Sequence, residues 1–144
     1  MPELPEVEVT RQGLIEPLQG AQIRSVRMGK PLRWPLGVDT ISLVGRSVVE
    51  VQRRGKYIVL LLDQGVLLIH LGMSGSLRAA TTLSEPGPHD HFDLHTNRGI
   101  LRLHDPRRFG AVVWAPDVQS DMAAKLFSTL GMEPLTDEFT AARF

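Results

Sequence analysis

The sequence predicts a mainly β protein with flanking helices: an antiparallel β-sandwich of about eight strands, preceded by an N-terminal helix. Eight short segments rich in Val, Ile and Leu, several of them alternating, are separated by glycine-containing or polar turns. Regularly spaced short strands of this kind are typical of an antiparallel sandwich or barrel. The chain has 144 residues and an ordinary globular composition, so it fits one domain with a core of its own.

The N-terminal helix is predicted to run from about Glu3 to Leu18. Val7 and Leu14 fall near one face at helical spacing, together with other apolar residues of the segment. The opening "PELPE" suits a first turn, because proline loses no hydrogen bond there and acids meet the positive end of the helix dipole. Gly20 is expected to end the helix.

The eight predicted strands follow in chain order, and a loop, "SEPGPHD", separates the fifth from the sixth. The strand segments are "AQIRSVRM", "SVVEVQRR", "KYIVLLLD", "GVLLIHLG", "GSLRAA", "HFDLHT", "GILRLHD" and "GAVVWA". The sixth and seventh are predicted to form a hairpin with Asn97, Arg98 and Gly99 in its turn.

The C-terminal segment predicts helix rather than strand. Residues from Ser120 to Leu130 indicate a short capped helix closed by Gly131. Residues 136–144 begin like another helix and stop without a helix-ending signal. We therefore expect residues 1–135 to form the sandwich domain, and residues 136–144 to begin a truncated linker or helix that leads to a further domain.

Composition excludes several classes of protein. The chain has no cysteine, so disulfides and thiolate metal sites are ruled out, and nothing indicates an oxidising compartment. No basic stretch followed by an apolar run opens the chain, and the longest apolar run, "YIVLLL", is too short to span a bilayer. We expect a cytoplasmic protein with no membrane partner, and nothing in the sequence requires more than a monomer.

Charge is distributed unevenly, although the formal net charge is zero. Residues 1–19 hold four acids and one base, and residues 116–144 hold five acids and two bases. The stretch between them has 13 Lys or Arg against 7 Asp or Glu. This asymmetry favours a central body that binds a polyanion, although arginines scattered over the solvent faces of strands would give the same count.

The N-terminus offers a nucleophile. Methionine before a small residue is usually removed after synthesis, which would leave Pro2 with a free secondary amine. Such an amine has a pKa of about 8, so part of it is neutral at physiological pH and can attack an electrophilic carbon. Glu3 and Glu6 are candidates to move protons beside it. Taken alone, the same residues also fit an ordinary helix start.

Three further segments combine glycine with cationic or bulky side chains. Lys56 follows a glycine where a strand begins, a position that also suits an ordinary solvated lysine. In "HLGMSGSLR", Met73 lies where the chain can turn sharply and push it outward, and His70 is either a core histidine or a phosphate donor. In "DPRRFG", Arg107 and Phe109 suit groove insertion, or else a hairpin turn with an aromatic plug.

Histidines and aspartates cluster in "PHDHFDLH", which invites a comparison with metal sites. His89, His91 and His95 are accompanied by Asp90 and Asp93. A loop gives these groups no fixed geometry, and we expect no metal here. A histidine that hydrogen-bonds a phosphate is the favoured use.

Together these motifs resemble a known family. "MPELPEVE", "RRGKYIVL", "IHLGMSGSLR", "HDHFDL" and "DPRRFGAVVW", in this order and along nearly the whole chain, are similar to the N-terminal domain of bacterial formamidopyrimidine-DNA glycosylase. The endonuclease VIII group also starts with Pro-Glu, but "PELPEVE" and the pairing of Met with Arg-Phe resemble the former more closely.

The resemblance implies a bacterial, nucleoid-associated repair enzyme that removes oxidised purines from damaged double-stranded DNA and then nicks the abasic strand. Pro2 would be the nucleophile, Glu3 the acid/base, Glu6 a supporting carboxylate, and Lys56 a group for lesion handling and proton transfer. The residues matching DNA contacts would be His70, His89 and Arg107, and those filling the gap left by the flipped base would be Met73, Arg107 and Phe109.

Family members continue for about as many residues again, with a helix-two-turn-helix motif and a zinc finger that bind DNA. Neither is found in this chain, so we expect no cofactor here and zinc only in such a C-terminal domain. The chain alone is then expected to bind DNA weakly, since half of the phosphate contacts are missing. Alternatives are a non-catalytic DNA-binding module, an endonuclease VIII-type glycosylase for oxidised pyrimidines, and a plain ligand-binding sandwich.

Overall fold

The computed structural model describes residues 4–32, 34–72 and 75–117. One α-helix and eight strands make up most of this part of the chain. In chain order they are α1 (Leu4–Leu18), β1 (Ile23–Met28), β2 (Val48–Arg54), β3 (Tyr57–Leu62), β4 (Val66–His70), β5 (Ser76–Ala80), β6 (Asp90–Thr96), β7 (Gly99–His104) and β8 (Ala111–Ala115), with a short 3₁₀ helix (Thr40–Leu43) between β1 and β2.

The strands form two antiparallel sheets of four strands each. The first sheet has the order β1-β6-β7-β5, and the second has the order β2-β3-β4-β8. Short turns join β2 to β3, β3 to β4, and β6 to β7, and each of these pairs is adjacent in its sheet. The chain crosses from one sheet to the other after β4 and again after β7, which places β5 at an edge of the first sheet and β8 at an edge of the second.

One buried apolar cluster joins the two sheets and α1. The second sheet contributes alternate residues of β3 and β4, such as Ile58 and Leu67, and the first sheet contributes Phe92 and Leu101 from β6 and β7. Val7 represents the apolar face of α1 in the same cluster. Because successive strand residues point to opposite faces, this cluster uses only one face of each sheet.

The other faces of the two sheets differ. On the second sheet that face is also buried and apolar, with Val59, Leu68 and Val113 at most 1% exposed. A strand buried on both faces needs apolar residues without alternation, which explains the run "YIVLLL" in β3. On the first sheet the other face is polar, and Asp93 and Arg102 are buried there as an ion pair.

The predicted fold class and all eight strand segments are confirmed, as is α1. The hairpin between β6 and β7 is also confirmed, but its turn is shorter than predicted: Gly99 pairs with Thr96 and belongs to β7, which leaves Asn97 and Arg98 as the turn. The predicted helix from Ser120 to Leu130 and the boundary at residues 135 and 136 lie outside the described residues. No helix in the described part of the chain is both long and apolar enough to span a bilayer.

Candidate functional site

The register of the second sheet brings three connections to one end of the sandwich. Arg54 pairs with Tyr57, Tyr57 with His70, and His70 with Ala111, so these four residues form a row across β2, β3, β4 and β8. The turn after Arg54, the loop after His70 and the loop before Ala111 therefore all leave the sheet at this end. We call it the loop end.

The first sheet adds His89 to the loop end. Ser76 at the start of β5 pairs with His104 at the end of β7, and His104 also pairs with Asp90 at the start of β6. His89, just before β6, is exposed, and its ring meets that of His104 edge-on at 5.9 Å. Its carbonyl accepts a hydrogen bond of 2.8 Å from the backbone N–H of Asp105.

Lys56 lies in a tight two-residue turn between β2 and β3. Gly55 has a φ of 58°, in the left-handed region, and Lys56 does not, which is the pattern of a type II′ hairpin turn. Lys56 is half-exposed, while its neighbours Arg54 and Tyr57 are buried. The turn thus presents the ammonium group at the edge of a buried row.

His70 is buried at the loop end with a defined tautomer. Its Nδ1 accepts a hydrogen bond of 3.0 Å from the backbone N–H of Gly72, so in the neutral ring the proton resides on Nε2. The imidazole packs against the ring of Tyr57, with 4.9 Å between centroids. His70 is 4% exposed, and a phosphate contact would have to come through its Nε2–H.

A buried carboxylate shapes the loop that holds Arg107 and Phe109. Asp105 is 0% exposed, and its two oxygens accept hydrogen bonds from the backbone N–H groups of Arg108 (3.2 Å) and Gly110 (2.8 Å). Arg108 adopts a left-handed φ of 56°, which is uncommon outside glycine. The carboxylate therefore stabilises a backbone conformation that turns this loop outward.

Arg107 and Phe109 project from that loop together. Both are exposed, Phe109 by 41%, and the Arg107 guanidinium lies 4.9 Å from the centre of the Phe109 ring. An exposed aromatic ring with a cation on its face has the shape and charge of a side-chain wedge for a base stack. Neither residue is needed to fill the core.

The loops after β4 and before β8 press backbone against backbone. A Cβ atom on Gly72 would lie 2.6 Å from the Gly110 nitrogen and 2.7 Å from the Phe109 carbonyl carbon, closer than real Cβ atoms approach. Gly72 also has a φ of +64°. Glycine is required at this contact on both grounds, and it couples the position of one loop to that of the other.

Three of the site residues predicted from the sequence, Pro2, Glu3 and Met73, lie outside the described residues. Glu6 is exposed on the first turns of α1. The start of this helix is tied to the loop end through Glu8, whose carboxylate is 2.9 Å from Arg53, the residue before Arg54.

Both aspartates of "PHDHFDLH" bond neighbouring side chains. Asp93 forms ion pairs with Arg27 and Arg102, and Asp90 bonds His104. In residues 4–32, 34–72 and 75–117, no three His, Asp or Glu side chains are grouped so as to hold a metal ion. The zinc finger that the resemblance implies would lack cysteine ligands here, because the chain contains none.

Sequence reasoning missed the residues that support this site. Asp105 was passed over in "DPRRFG", although an aspartate before a proline turn is a known signal for side-chain hydrogen bonds to the following backbone. Glu8 and Arg53 gave no signal, since they are 45 positions apart in the chain.

Comparison with known proteins agrees with this arrangement. The formamidopyrimidine-DNA glycosylase N-terminal domain model matches residues 1–112. A formamidopyrimidine-DNA glycosylase of Variovorax paradoxus is 60% identical over 144 residues, which cover 100% of this chain and 53% of that protein. The enzyme of the same name from Acidovorax sp. strain JS42 is 58% identical over the same length and share. The chain thus spans about half the length of the curated relatives it matches.

Solved structures show the same fold. Lactococcus lactis Fpg in complex with DNA containing an abasic site is 30% identical, with a TM-score of 0.74 over 89% of this chain and 48% of that one. MutM bound to DNA containing carbocyclic 8-oxo-G is 32% identical, with the same TM-score and shares. On the family match, the relatives and the shared fold, the chain belongs to the formamidopyrimidine-DNA glycosylase family.

Proposed function

We propose that this chain is the catalytic half of a DNA glycosylase and abasic-site lyase that acts on oxidised purines such as 8-oxoguanine and formamidopyrimidines. The observation that supports it is the grouping of Lys56, His70, His89, Arg107 and Phe109 at the loop end, next to the helix that begins two residues after Pro2. The relatives named for this activity are about twice as long, so the activity of this chain needs its own test.

The proposed chemistry starts at the N-terminal amine. As the bond between C1′ and the damaged base breaks, the Pro2 nitrogen bonds to C1′ and the base leaves with a proton. Opening of the sugar ring places a proton on O4′ and leaves an iminium ion between C1′ and Pro2, a covalent intermediate of the Schiff-base kind. We assign Glu3 to this proton transfer and Glu6 to its support.

Strand cleavage follows from the iminium ion. Its positive charge acidifies the C2′ proton, and removal of that proton expels the 3′ phosphate by β-elimination. A second elimination expels the 5′ phosphate, and water then releases Pro2. We assign Lys56 to proton transfer in these steps, because a half-exposed amine beside a buried row can reach a bound sugar and still exchange protons with solvent.

Three side chains are assigned to the gap that the flipped base leaves in the stack. Extruding a nucleotide from the stack costs a few kcal/mol, which side chains inserted into the gap offset. Arg107 and Phe109 are exposed on one loop, which supports assigning them to such a gap, and we assign Met73 to the same role. His70 and His89 are assigned to the phosphates beside it.

Reductive trapping tests the proposal. Incubation with duplex DNA containing an abasic site or 8-oxoguanine, followed by borohydride, should convert the iminium ion into a stable adduct seen on a denaturing gel. Mass spectrometry should place the adduct on Pro2 in protein lacking Met1. The same chain with one residue added before Pro2 is the matched control and should form no adduct.

The outcomes separate the candidate functions. An adduct on Pro2 with oxidised purines establishes the glycosylase, and an adduct only with oxidised pyrimidines would favour the endonuclease VIII type. DNA binding without any adduct, while the full-length Variovorax relative traps normally, would overturn catalysis by this chain and leave a binding module. Absence of both binding and adduct would favour the plain sandwich.

A further inference from the structure

A half-exposed charge cluster joins α1 to the turn that holds Lys56. The Glu8 carboxylate accepts hydrogen bonds from the Nε atoms of Arg53 (2.9 Å) and Arg11 (3.0 Å), and from Gln12 (3.0 Å). Arg53 extends the connection, since its Nη1 donates to the carbonyl of Gly55 at 3.1 Å. One guanidinium therefore bridges the second turn of α1 and the residue just before Lys56.

This bridge has an unusual place in the sheet. Arg53 pairs with Ile58, whose side chain is in the core, so the sheet alternation directs Arg53 to the core side at the edge under α1. At such an edge a guanidinium needs a carboxylate or water as a hydrogen-bond partner. Arg53 finds both, since it bonds Glu8 and the two side chains are 31% and 30% exposed.

The bridge connects the two elements that lead to the two amines of the proposed function. α1 starts at Leu4, two residues after Pro2, while Gly55 is bonded to Lys56. Schiff-base formation and elimination require the two amines to act on neighbouring carbons of one sugar. A displacement of about 1 Å between reacting groups can cost on the order of a hundredfold in rate.

We propose that Glu8 and Arg53 are positioning residues that hold the start of α1 and the Lys56 turn in the relative geometry that Schiff-base chemistry requires. This inference rests on the proposed function. In this role both residues act through the backbone that leads to Pro2 and Lys56, and not by binding the substrate.

The electrostatics of the cluster keep the Glu8 carboxylate charged. Hydrogen bonds from Arg11 and then Arg53 lower the pKa of Glu8 to about 2, so the carboxylate is ionised throughout the physiological range. Arg11 donates to both oxygens of the Glu8 carboxylate. It also donates to the Val51 carbonyl at 3.4 Å, which connects α1 to β2 a second time. Two of the three partners of Glu8 are thus cationic, and these two come from different elements, α1 and β2.

The test compares Glu8→Gln, Arg53→Gln and the double variant with Arg46→Gln. Arg46 forms a pair of similar exposure with Asp63 (3.9 Å) at the opposite end of the second sheet, so it is a matched control. At saturating abasic DNA, we expect the trapping rate of Glu8→Gln and Arg53→Gln to fall by about tenfold to a hundredfold. The DNA concentration at half-saturation should stay unchanged, and Arg46→Gln should trap like the parent chain.

Three readouts distinguish positioning from a merely structural role. If the two residues act as one bridge, the double variant is no slower than the slower single variant. Hydrogen exchange of the Tyr57 amide, which pairs with Arg54 across the turn, should quicken in Glu8→Gln and not in Arg46→Gln when followed by NMR in the free protein. Arg53→Lys keeps the charge but loses the forked geometry, and should recover only part of the rate.

The outcomes are decisive in each case. Equal trapping rates and equal Tyr57 exchange in Glu8→Gln and Arg46→Gln would overturn the positioning role while leaving the proposed function intact. A parent chain that forms no adduct, while the full-length Variovorax relative traps normally, overturns catalysis by this chain and the catalytic part of this inference together. In that event, the Tyr57 exchange rates still decide whether the bridge orders the turn.

Discussion

Two carboxylates in this molecule each lie between two arginines, and they differ mainly in burial. Asp93 on β6 pairs with Arg102 at 2.8 Å and Arg27 at 2.9 Å, and its side chain is 1% exposed. Glu8 on α1 pairs with Arg53 at 2.9 Å and with Arg11, and its side chain is 30% exposed. The contacts are alike, but solvent screens only the second set.

Burial changes what these contacts do. Burial alone would raise the pKa of Asp93, but hydrogen bonds from Arg102 and Arg27 outweigh it and hold the pKa below its ordinary value. Arg102 has lost its water as well and depends on Asp93 and on the Ser84 carbonyl at 2.8 Å. Removing one partner there leaves a buried charge, whereas water replaces a lost partner at Glu8. The Asp93 cluster therefore contributes mainly to the stability of the fold. The Glu8 cluster contributes mainly to the relative position of α1 and the Lys56 turn.

The largest expected effect is on the free energy of unfolding of Asp93→Asn. Breaking this buried pair leaves Arg102 with one carboxylate, Asp90 at 4.0 Å, so we expect a loss of about 3 kcal/mol. Glu8→Gln should lose only about 0.2–1 kcal/mol. Urea unfolding followed by circular dichroism measures both, and similar losses for the two variants would contradict the role assigned to burial.

A smaller effect is expected within the Asp93 cluster itself. Arg102 is 4% exposed and Arg27 is 34% exposed, although both contact the same carboxylate. Arg102→Gln should lower the free energy of unfolding by about 1.5–3 kcal/mol, and Arg27→Gln by less than about 1 kcal/mol, because water can hydrate the carboxylate edge that Arg27 leaves. The same urea unfolding measures both variants. If Arg27→Gln lost more free energy of unfolding than Arg102→Gln, the exposure of the two arginines would not explain their contributions.

The smallest effect is a dependence of stability on acid pH. Both carboxylates have lowered pKa values in the folded state, Glu8 to about 2 from its ordinary 4.5. The unfolded chain therefore binds these protons first as pH falls, and stability that is complete above about pH 4.5 decreases below it. The urea midpoint of the parent chain should be lower at about pH 3 than at neutral pH. This difference between the two midpoints should be slightly smaller in Glu8→Gln and clearly smaller in Asp93→Asn. Unchanged pH dependence in both variants would show that other carboxylates govern acid unfolding.

The strands were predictable because their signals are local. Alternation in "SVVEVQRR" and the continuous apolar run in "KYIVLLLD" reflect burial on one or both faces, and glycine marks most of the turns between strands. The turn at Asn97 and Arg98 was misjudged by one residue, because Gly99 has the composition of a turn but pairs with Thr96 in β7. Pairing energy outweighed local preference at that position.

The site was predictable in part. Lys56, His70, Arg107 and Phe109 attracted attention because they interrupt strand patterns beside glycines. Asp105 is a local signal that was overlooked, and Glu8 with Arg53 is a nonlocal pair that no spacing rule detects. The roles of Pro2, Glu3 and Met73 remain predictions, since these residues lie outside the described structure.

The eight strands, the first helix and the family follow from the amino-acid sequence alone, since each depends on patterns within a few residues or on motifs in a fixed order. Which of those motifs meet depends on the packing of the two sheets. The pairing of Arg54, Tyr57, His70 and Ala111 across four strands gathers the loops at one end. Burial then made Asp93 a structural ion pair and left Glu8 as a half-exposed bridge, because the dielectric around a charge is set by the packed molecule and not by its neighbours in the chain.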